Sequence, residues 1–492
     1  MKIKIFPKNE QEFSKFFIVL IPFLLLLFGG ISLAKESYFL FINILPQNNI
    51  FNYGFLDKLN NHITYSLLLS FLIVFLTSYL LPKTLGRRLV IFPIFFLTSL
   101  GVIGLESLDL LLGFLFPNNF YSFGNTSYTM IFKVLIFFAF VGLLSINILA
   151  KKEASMFISA QYLFGAAIFY ALSLIVYRGN FAVFSDNFFI NSIYVSTHIY
   201  VGYSFVFLAL LHFMTTKGIN GTLYSKTLGS ISFWGYLFLL PWTNFKFYFG
   251  SVLPNWIENI SLYLSLSLAL PLLAVTVNFF KTVTTRTEEN KIIYGLISFS
   301  FGIFVVTNLF QIVSSLSNII PILSLTNFEI AIRYGYVFSS ILISIAFIYY
   351  LIPKIFGREV KFTRLESLTV LIIKIVVAGT LFSNALIGII SGYSWNAGAN
   401  AGNPTIYGEG FGLLWSLIST PLSVNLFLSL LLLLPFFLFF ISVMKAIVSG
   451  EITEAETVEL SEEELPEYYA AWWWAERVRF VRLEECSREA RR

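Results

Sequence analysis

Twelve long apolar stretches, joined by connections whose positive charge alternates from one to the next, constrain this chain more than any other feature. They fall at roughly 13–34, 61–82, 89–116, 129–150, 155–178, 190–216, 229–250, 256–280, 292–319, 326–353, 366–393 and 417–446. An α-helix rises ~1.5 Å per residue, so about 20 apolar residues cross a hydrocarbon core. A transmembrane β-barrel would instead show short segments of alternating polarity. The chain has 492 residues, of which 57% are hydrophobic and only 12% charged. That leaves too little polar surface for a soluble domain. The expected fold class is an all-α polytopic membrane protein with twelve transmembrane helices.

The charges set an expected topology. Connections after even-numbered spans carry Lys83, Arg87, Arg88, Lys151, Lys152, Lys217, Lys226, Lys281, Arg286, Lys291, Lys354, Arg358, Lys361 and Arg364. Connections after odd-numbered spans carry only Lys35, Lys58, Arg178 and Lys246. The positive-inside rule then places the even connections and both termini in the cytoplasm. The net charge of +5 is modest and its placement follows topology, so nucleic acid is not an expected partner. The organisation reads as a cytoplasmic N-terminus over 1–12, a membrane domain over 13–446 and a cytoplasmic tail over 447–492. Phe16 to Ala34 lacks a small-residue cleavage site and reads as a span rather than a leader.

Two stretches fall outside the spans. Ser391 to Phe411 is rich in Gly and Asn and predicts a structured outer loop, capping the bundle or serving as a lid or docking surface. The tail starts acidic at Glu451. Ser461 and Glu464 have capping-box spacing, and Trp472, Trp473 and Trp474 precede Arg477, Arg479 and Arg482. This pattern predicts an amphipathic helix lying on the cytoplasmic membrane face or docked on a partner subunit. Cys486 is the only cysteine, which excludes an intrachain disulfide and an iron–sulfur cluster held by this chain alone.

The histidine inventory bounds the redox chemistry. His62, His198 and His212 are the only three, and all lie within apolar segments. Imidazole is the main ligand for haem iron or copper inside a bilayer.

Several stretches carry a family resemblance. "LNNHITYSLLLSFLIVFLTSYLLPKTLGRR" at Leu59–Arg88 opens span two on a histidine and closes it on a Pro–Gly–basic turn. "KKEASMFISAQYLFGAAIFYALSLIVY" starts at Lys151, and "FWGYLFLLPWTNFKFYFGSVLPNWIENISLYLSLSLALPLLA" starts at Phe233. "YYLIPKIFGREV" from Tyr349 closes span ten. In this order they make the chain, from about Phe13 to Lys445, similar to subunit I of the haem–copper oxidase superfamily. Within it, the chain resembles the branch of the cytochrome cbb-type oxidases and the related nitric oxide reductases.

The resemblance implies six metal-binding histidines. His62 falls on the span-two position of the low-spin haem clamp. His198, in "THIYVG", falls on the span-six copper position. The adjacent copper pair of span seven falls on Lys246 and Phe247, with Trp242 and Pro254 holding register. The haem pair of span ten falls within "AIRY", Ala331 to Tyr334. The branch's active-site tyrosine falls on Leu240, and its span-nine glutamate near Gln311. Copper would keep one imidazole, and the high-spin haem would have no axial histidine. His62 is left as a candidate remnant low-spin haem ligand, and Tyr334 is an oxygen donor beside it.

Lys246 and Arg333 place cations where the family places metal. An intramembrane charge costs at least ~2.5–3.5 kcal/mol unless it is paired or hydrated. The two read as cavity cations, with Glu329 four residues before Arg333 on the same helix face. A second reading has Lys246 snorkelling to the outer surface. His212 matches no family ligand and reads as a core or interfacial residue. Lys133 and Lys374 read either as part of an ion path or as paired or snorkelling lysines.

The resulting expectation is a degenerate oxidase-like subunit with no catalytic residue and no bound metal, holding at most a single haem b. It would serve as a scaffold in a respiratory complex of a bacterial-type inner membrane. Its partners would be other subunits, one of them containing a cytochrome c, with lipid or quinone in the vacated cavities. Two rival expectations are a haem-containing oxidase or nitric oxide reductase with altered ligation, and an ion-conducting subunit.

Overall fold

The computed structural model describes residues 7, 9–40, 53–86, 88–115, 127–150, 156–178, 187–250, 253–286, 290–360, 363–400 and 409–451. Twelve helical units follow one another. They are α1 (Glu10–Leu40), α2 (Tyr53–Leu85), α3 (Phe92–Leu115), α4 (Ser127–Leu149), α5 (Ile158–Arg178) and α6 (Ser192–Gly218). They continue as α7 (Lys226–Leu239), α8 (Asn255–Val283), α9 (Lys291–Val313), α10 (Phe328–Phe356), α11 (Arg364–Asn400) and α12 (Glu409–Ser449). Helices suit this setting because each backbone N–H and C=O is satisfied within its own segment.

Eleven of these helices are long and apolar enough to cross a membrane. The exception is α7, with 14 residues. Pro241, which has no N–H to donate, follows its end. The chain continues in two 3₁₀ turns, Leu240–Trp242 and Phe245–Tyr248. The seventh predicted span is therefore a short helix extended by a tight turn. Side chains cap helix starts: Ser225 Oγ accepts from the Leu228 N–H at α7, and Asn290 Oδ1 from the Ile293 N–H at α9. Gly86 and Gly357 end α2 and α10 at φ 69° and 60°, in the left-handed region.

Burial sorts the helices into a centre and a rim. The most apolar stretches of α2, α6 and α10 are 94%, 94% and 100% buried, whereas those of α3 and α4 are 33% buried. The three central helices are therefore those on which the resemblance places His62, His198 and the haem pair. α1 packs between α2 and α12, α11 pairs with α12, and α9 pairs with α10. The sequence of the rim helices is as apolar as that of the centre, because lipid is as apolar a neighbour as protein.

One expectation is corrected. Ser391 to Phe411 is not a loop over most of its length, since α11 runs to Asn400 and α12 starts at Glu409. The glycines serve close packing instead of a turn. A Cβ on Gly388 would lie 2.3 Å from the Phe328 nitrogen, and one on Gly392 would lie 1.8 Å from the Ile322 carbonyl oxygen. The helix presses against the connection between α9 and α10, which only glycine permits. Residues 401–408 and the tail from 452, with its predicted amphipathic helix, lie outside the described residues.

Candidate functional site

His62 and His198 both lie in π-helical turns, His62–Leu67 of α2 and Val195–Val201 of α6. Such single-turn widenings are frequent at functional sites. Three of their four ring nitrogens are nevertheless engaged. His62 Nε2 lies 3.0 Å from the Glu106 carbonyl oxygen on α3. A carbonyl only accepts, so Nε2 carries the proton and is not a free donor for iron. His198 Nε2 lies 3.0 Å from the Tyr65 carbonyl oxygen on α2, and Nδ1 lies 2.6 Å from Ser173 Oγ on α5. The His198 ring is fully buried and stacks on Tyr194 at 4.8 Å.

The residues at the other predicted copper positions have different partners. Lys246 is completely buried on the second 3₁₀ turn. Its ammonium donates to the Gln311 carbonyl oxygen, and to Ser315 Oγ at 2.7 Å, both on or just past α9. It does not snorkel, because the turn after α7 folds the side chain back into the bundle. Phe247 is buried beside it, and its carbonyl accepts from the Leu325 N–H. Leu240 and Gln311 are buried at the predicted tyrosine and glutamate positions. Gln311 Nε2 donates to Thr243 Oγ1 at 2.8 Å. Among the described residues His198 and Lys246 share no hydrogen-bonding partner.

Arg333 and Glu329 meet as expected: Arg333 Nε donates to Glu329 Oε1 at 3.1 Å across one turn of α10. Their side chains keep 18% and 13% exposure, which places the pair towards the edge of the packed interior. Tyr334 is buried and stacks on Phe338 at 5.7 Å. His212 is a core residue, stacked on Tyr162 at 5.7 Å. Lys374 lies over the Phe299 ring at 5.7 Å.

Lys133 is neither free nor snorkelling. It bonds Glu106 Oε2 at 2.8 Å and also bonds Asp109. Tyr170 Oη donates to Glu106 Oε1 at 3.1 Å, and His62 Nε2 lies 3.8 Å from Glu106 Oε2. This cluster of α3, α4 and α5 was legible in part, since Glu106 and Asp109 stand three residues apart inside an apolar span. Their pairing with Lys133 depends on how α3 packs on α4.

A haem–copper centre can be tested against these residues. The three copper donors that the resemblance implies fall on His198, Lys246 and Phe247, of which only His198 is an imidazole and Phe247 has no donor atom. The central helices are also bonded directly to one another through α6. Tyr203 Oη of α6 donates to the Thr64 carbonyl oxygen of α2, and Ser340 Oγ of α10 donates to the Tyr203 carbonyl oxygen at 2.8 Å. A Cβ on Gly202 would lie 2.7 Å from the Leu69 side chain, and one on Gly335 would lie 2.0 Å from Thr307 Oγ1. A porphyrin inserted here would break these bonds and separate these helices. The side chains present do not fit a haem–copper centre. The described residues contain no cluster of three or more His, Cys, Asp or Glu side chains able to share one ion.

Comparison with known proteins sets the family. The sequence model for "Cytochrome C and Quinol oxidase polypeptide I" matches residues 13–424. The fold is similar to that of a heme-copper terminal oxidase dimer solved by cryo-EM, with a TM-score of 0.67 and 14% identity over 93% of this chain and 90% of that one. The family match takes in the central helices α2, α6 and α10 and the turn that carries Lys246, and on that extent the chain belongs to the cytochrome c and quinol oxidase polypeptide I family.

Proposed function

We propose that this protein is a non-catalytic subunit I, a helix-bundle scaffold in a respiratory membrane complex that has given up its haem–copper centre. The observation that carries this reading is Lys246. At a predicted copper-ligand position stands a buried amine that donates hydrogen bonds to a carbonyl and a hydroxyl, followed directly by a phenylalanine. The engaged ring nitrogens of His198 and the Arg333–Glu329 pair support it. The fold alone does not carry the family's activity across, because chemistry resides in site residues.

The reading excludes a single haem b on His62, whose Nε2 bonds the Glu106 carbonyl. It places both termini on the cytoplasmic side of a bacterial-type inner membrane. It also assigns other subunits of the complex as partners, among them one carrying a cytochrome c.

The test is metal and haem analysis of the purified full-length protein in lipid nanodiscs. A reduced-minus-oxidised spectrum without a haem band, and copper well below one per chain, is the expected result. Stoichiometric haem that disappears in His62→Ala, or turnover of dioxygen or nitric oxide, would overturn the proposal. Topology has its own probe, since Cys486 is the only thiol. A membrane-impermeant maleimide should label it in inside-out vesicles and leave it unlabelled in right-side-out ones. Recovery as a lone monomer in mild detergent would count against the scaffold role.

A further inference from the structure

The face on which α8 ends and α9 and α11 begin carries an excess of positive charge. Residues 281–295, 354–374 and 440–450 hold nine basic and four acidic side chains. The acids are Glu288, Glu289, Glu359 and Glu366, and Glu366 is already engaged by Thr363 and by Ser442 of α12. Lys281, Arg286, Lys291 and Arg364 are exposed, and among the described residues none of the four takes part in an ion pair. Contacts tie these groups to one surface. Arg286 lies over the Tyr294 ring at 4.1 Å, one turn into α9 from Lys291. A Cβ on Gly295 would lie 3.1 Å from the Lys374 Nζ, so the first turns of α9 run against α11. α11 in turn pairs with α12, and the Glu366–Ser442 bond crosses that pair.

The chain leaves α12 on this same surface. Arg358, just past α10, donates to the Val448 and Gly450 carbonyls at 3.1 and 2.9 Å. The Glu359 N–H donates to the Glu451 carbonyl at 2.9 Å. The residues that follow are acidic: from Glu451 to Glu467 there are eight glutamates and no basic residue. α9 stands two helices from α12, ~20 Å at the usual spacing between packed helix axes. Residues 452–467 would span ~24 Å as a helix and ~50 Å extended, so either form reaches Arg286 and Lys291.

We propose that the acidic segment 452–467 folds back over this face and pairs with Lys281, Arg286, Lys291 and Arg364, so that the chain's own tail covers the basic rim. Each exposed pair contributes only ~0.2–1 kcal/mol. Several pairs made by one tethered segment act together, because attachment at Glu451 holds the glutamates at an effective concentration on the order of millimolar. Anionic lipid headgroups are drawn to the same cations, but they are not tethered to them. This pairing depends neither on the direction in which the bundle crosses the membrane nor on the absence of metal.

The test is carbodiimide crosslinking, which joins a carboxylate directly to an amine, applied to the full-length protein in phosphatidylcholine nanodiscs. Peptide mapping should find glutamates of 454–467 joined to Lys281 and Lys291 within a band of monomer mass. High salt should lower the yield severalfold, because exposed pairs are screened. Arg286→Glu and Arg364→Glu remove no reactive amine, and each should lower the yield at both lysines; either variant serves alone if the other does not fold. Exchange of phosphatidylcholine for phosphatidylglycerol should leave the crosslinks in place. No tail crosslink, or a yield indifferent to both arginine variants, would overturn the proposal. Crosslinks lost in phosphatidylglycerol would overturn it in favour of lipid headgroups, and crosslinks confined to a band of twice the monomer mass in favour of a second copy.

Discussion

Lys133 and Lys246 are both buried amines in a membrane bundle, and the fold satisfies them by different means. Lys133 sits between two carboxylates, Glu106 and Asp109, where α3, α4 and α5 meet. Lys246 sits at a tight turn, where it bonds a carbonyl and a hydroxyl and lies over the Phe247 ring at 5.1 Å. The first arrangement is an internal ion pair with acid to spare, the second a cation held by dipoles. A bilayer interior tolerates charge by either route, but the two differ in what happens when the amine is removed. Taking Lys133 away strands two acids. Taking Lys246 away strands no charge, because the Gln311 carbonyl still accepts from Ser314 and Ser315.

The largest expected effect is therefore Lys133→Met, which leaves Glu106 and Asp109 unpaired. Denaturant or thermal unfolding should show a loss of about 3–5 kcal/mol, as when one partner of a buried pair is deleted. A variant as stable as the parent would break the comparison. Adding Asp109→Asn to Lys133→Met should recover part of that loss, roughly 1–2 kcal/mol, since contacting residues are coupled. Strict additivity in this double variant would show that the acid is not sensing the lysine.

On the other side of the comparison, Lys246→Met should stay within about 1 kcal/mol of the parent, because it leaves no buried charge or hydrogen-bonding group without a partner. A loss as large as that of Lys133→Met would mean that Lys246 has a counter-charge. The smallest effect belongs to Arg333→Gln. Its pair with Glu329 spans one helical turn and keeps partial exposure, so about 0.5 kcal/mol is expected in the same assay.

Where the sequence reading worked, the physics was one-dimensional. Apolar run length found all eleven helices that are long and apolar enough to cross a membrane, and spacing alone put Glu329 and Arg333 on one helix face. It went wrong where a residue has two uses. Gly392 looks like a loop residue in a string, and in the fold it lets α11 press against backbone. Lys246 at a span end left two readings open, a cavity cation or a snorkelling side chain, and the 3₁₀ turn that folds it inward was not legible in the string. The acids that hold Lys133 come from another helix, α3, and no local pattern pairs α3 with α4.

The amino-acid sequence by itself determined that this chain is a bundle of membrane helices, because hydrocarbon demands long apolar segments and each helix satisfies its own backbone. It also determined that three imidazoles are all the chain can offer a metal. Only the tertiary structure decided what those imidazoles and the buried amines bond to. Hydrogen bonds and ion pairs act over a few ångströms between groups far apart in the chain, and helix packing brings Glu106 to Lys133, Tyr65 to His198 and Gln311 to Lys246.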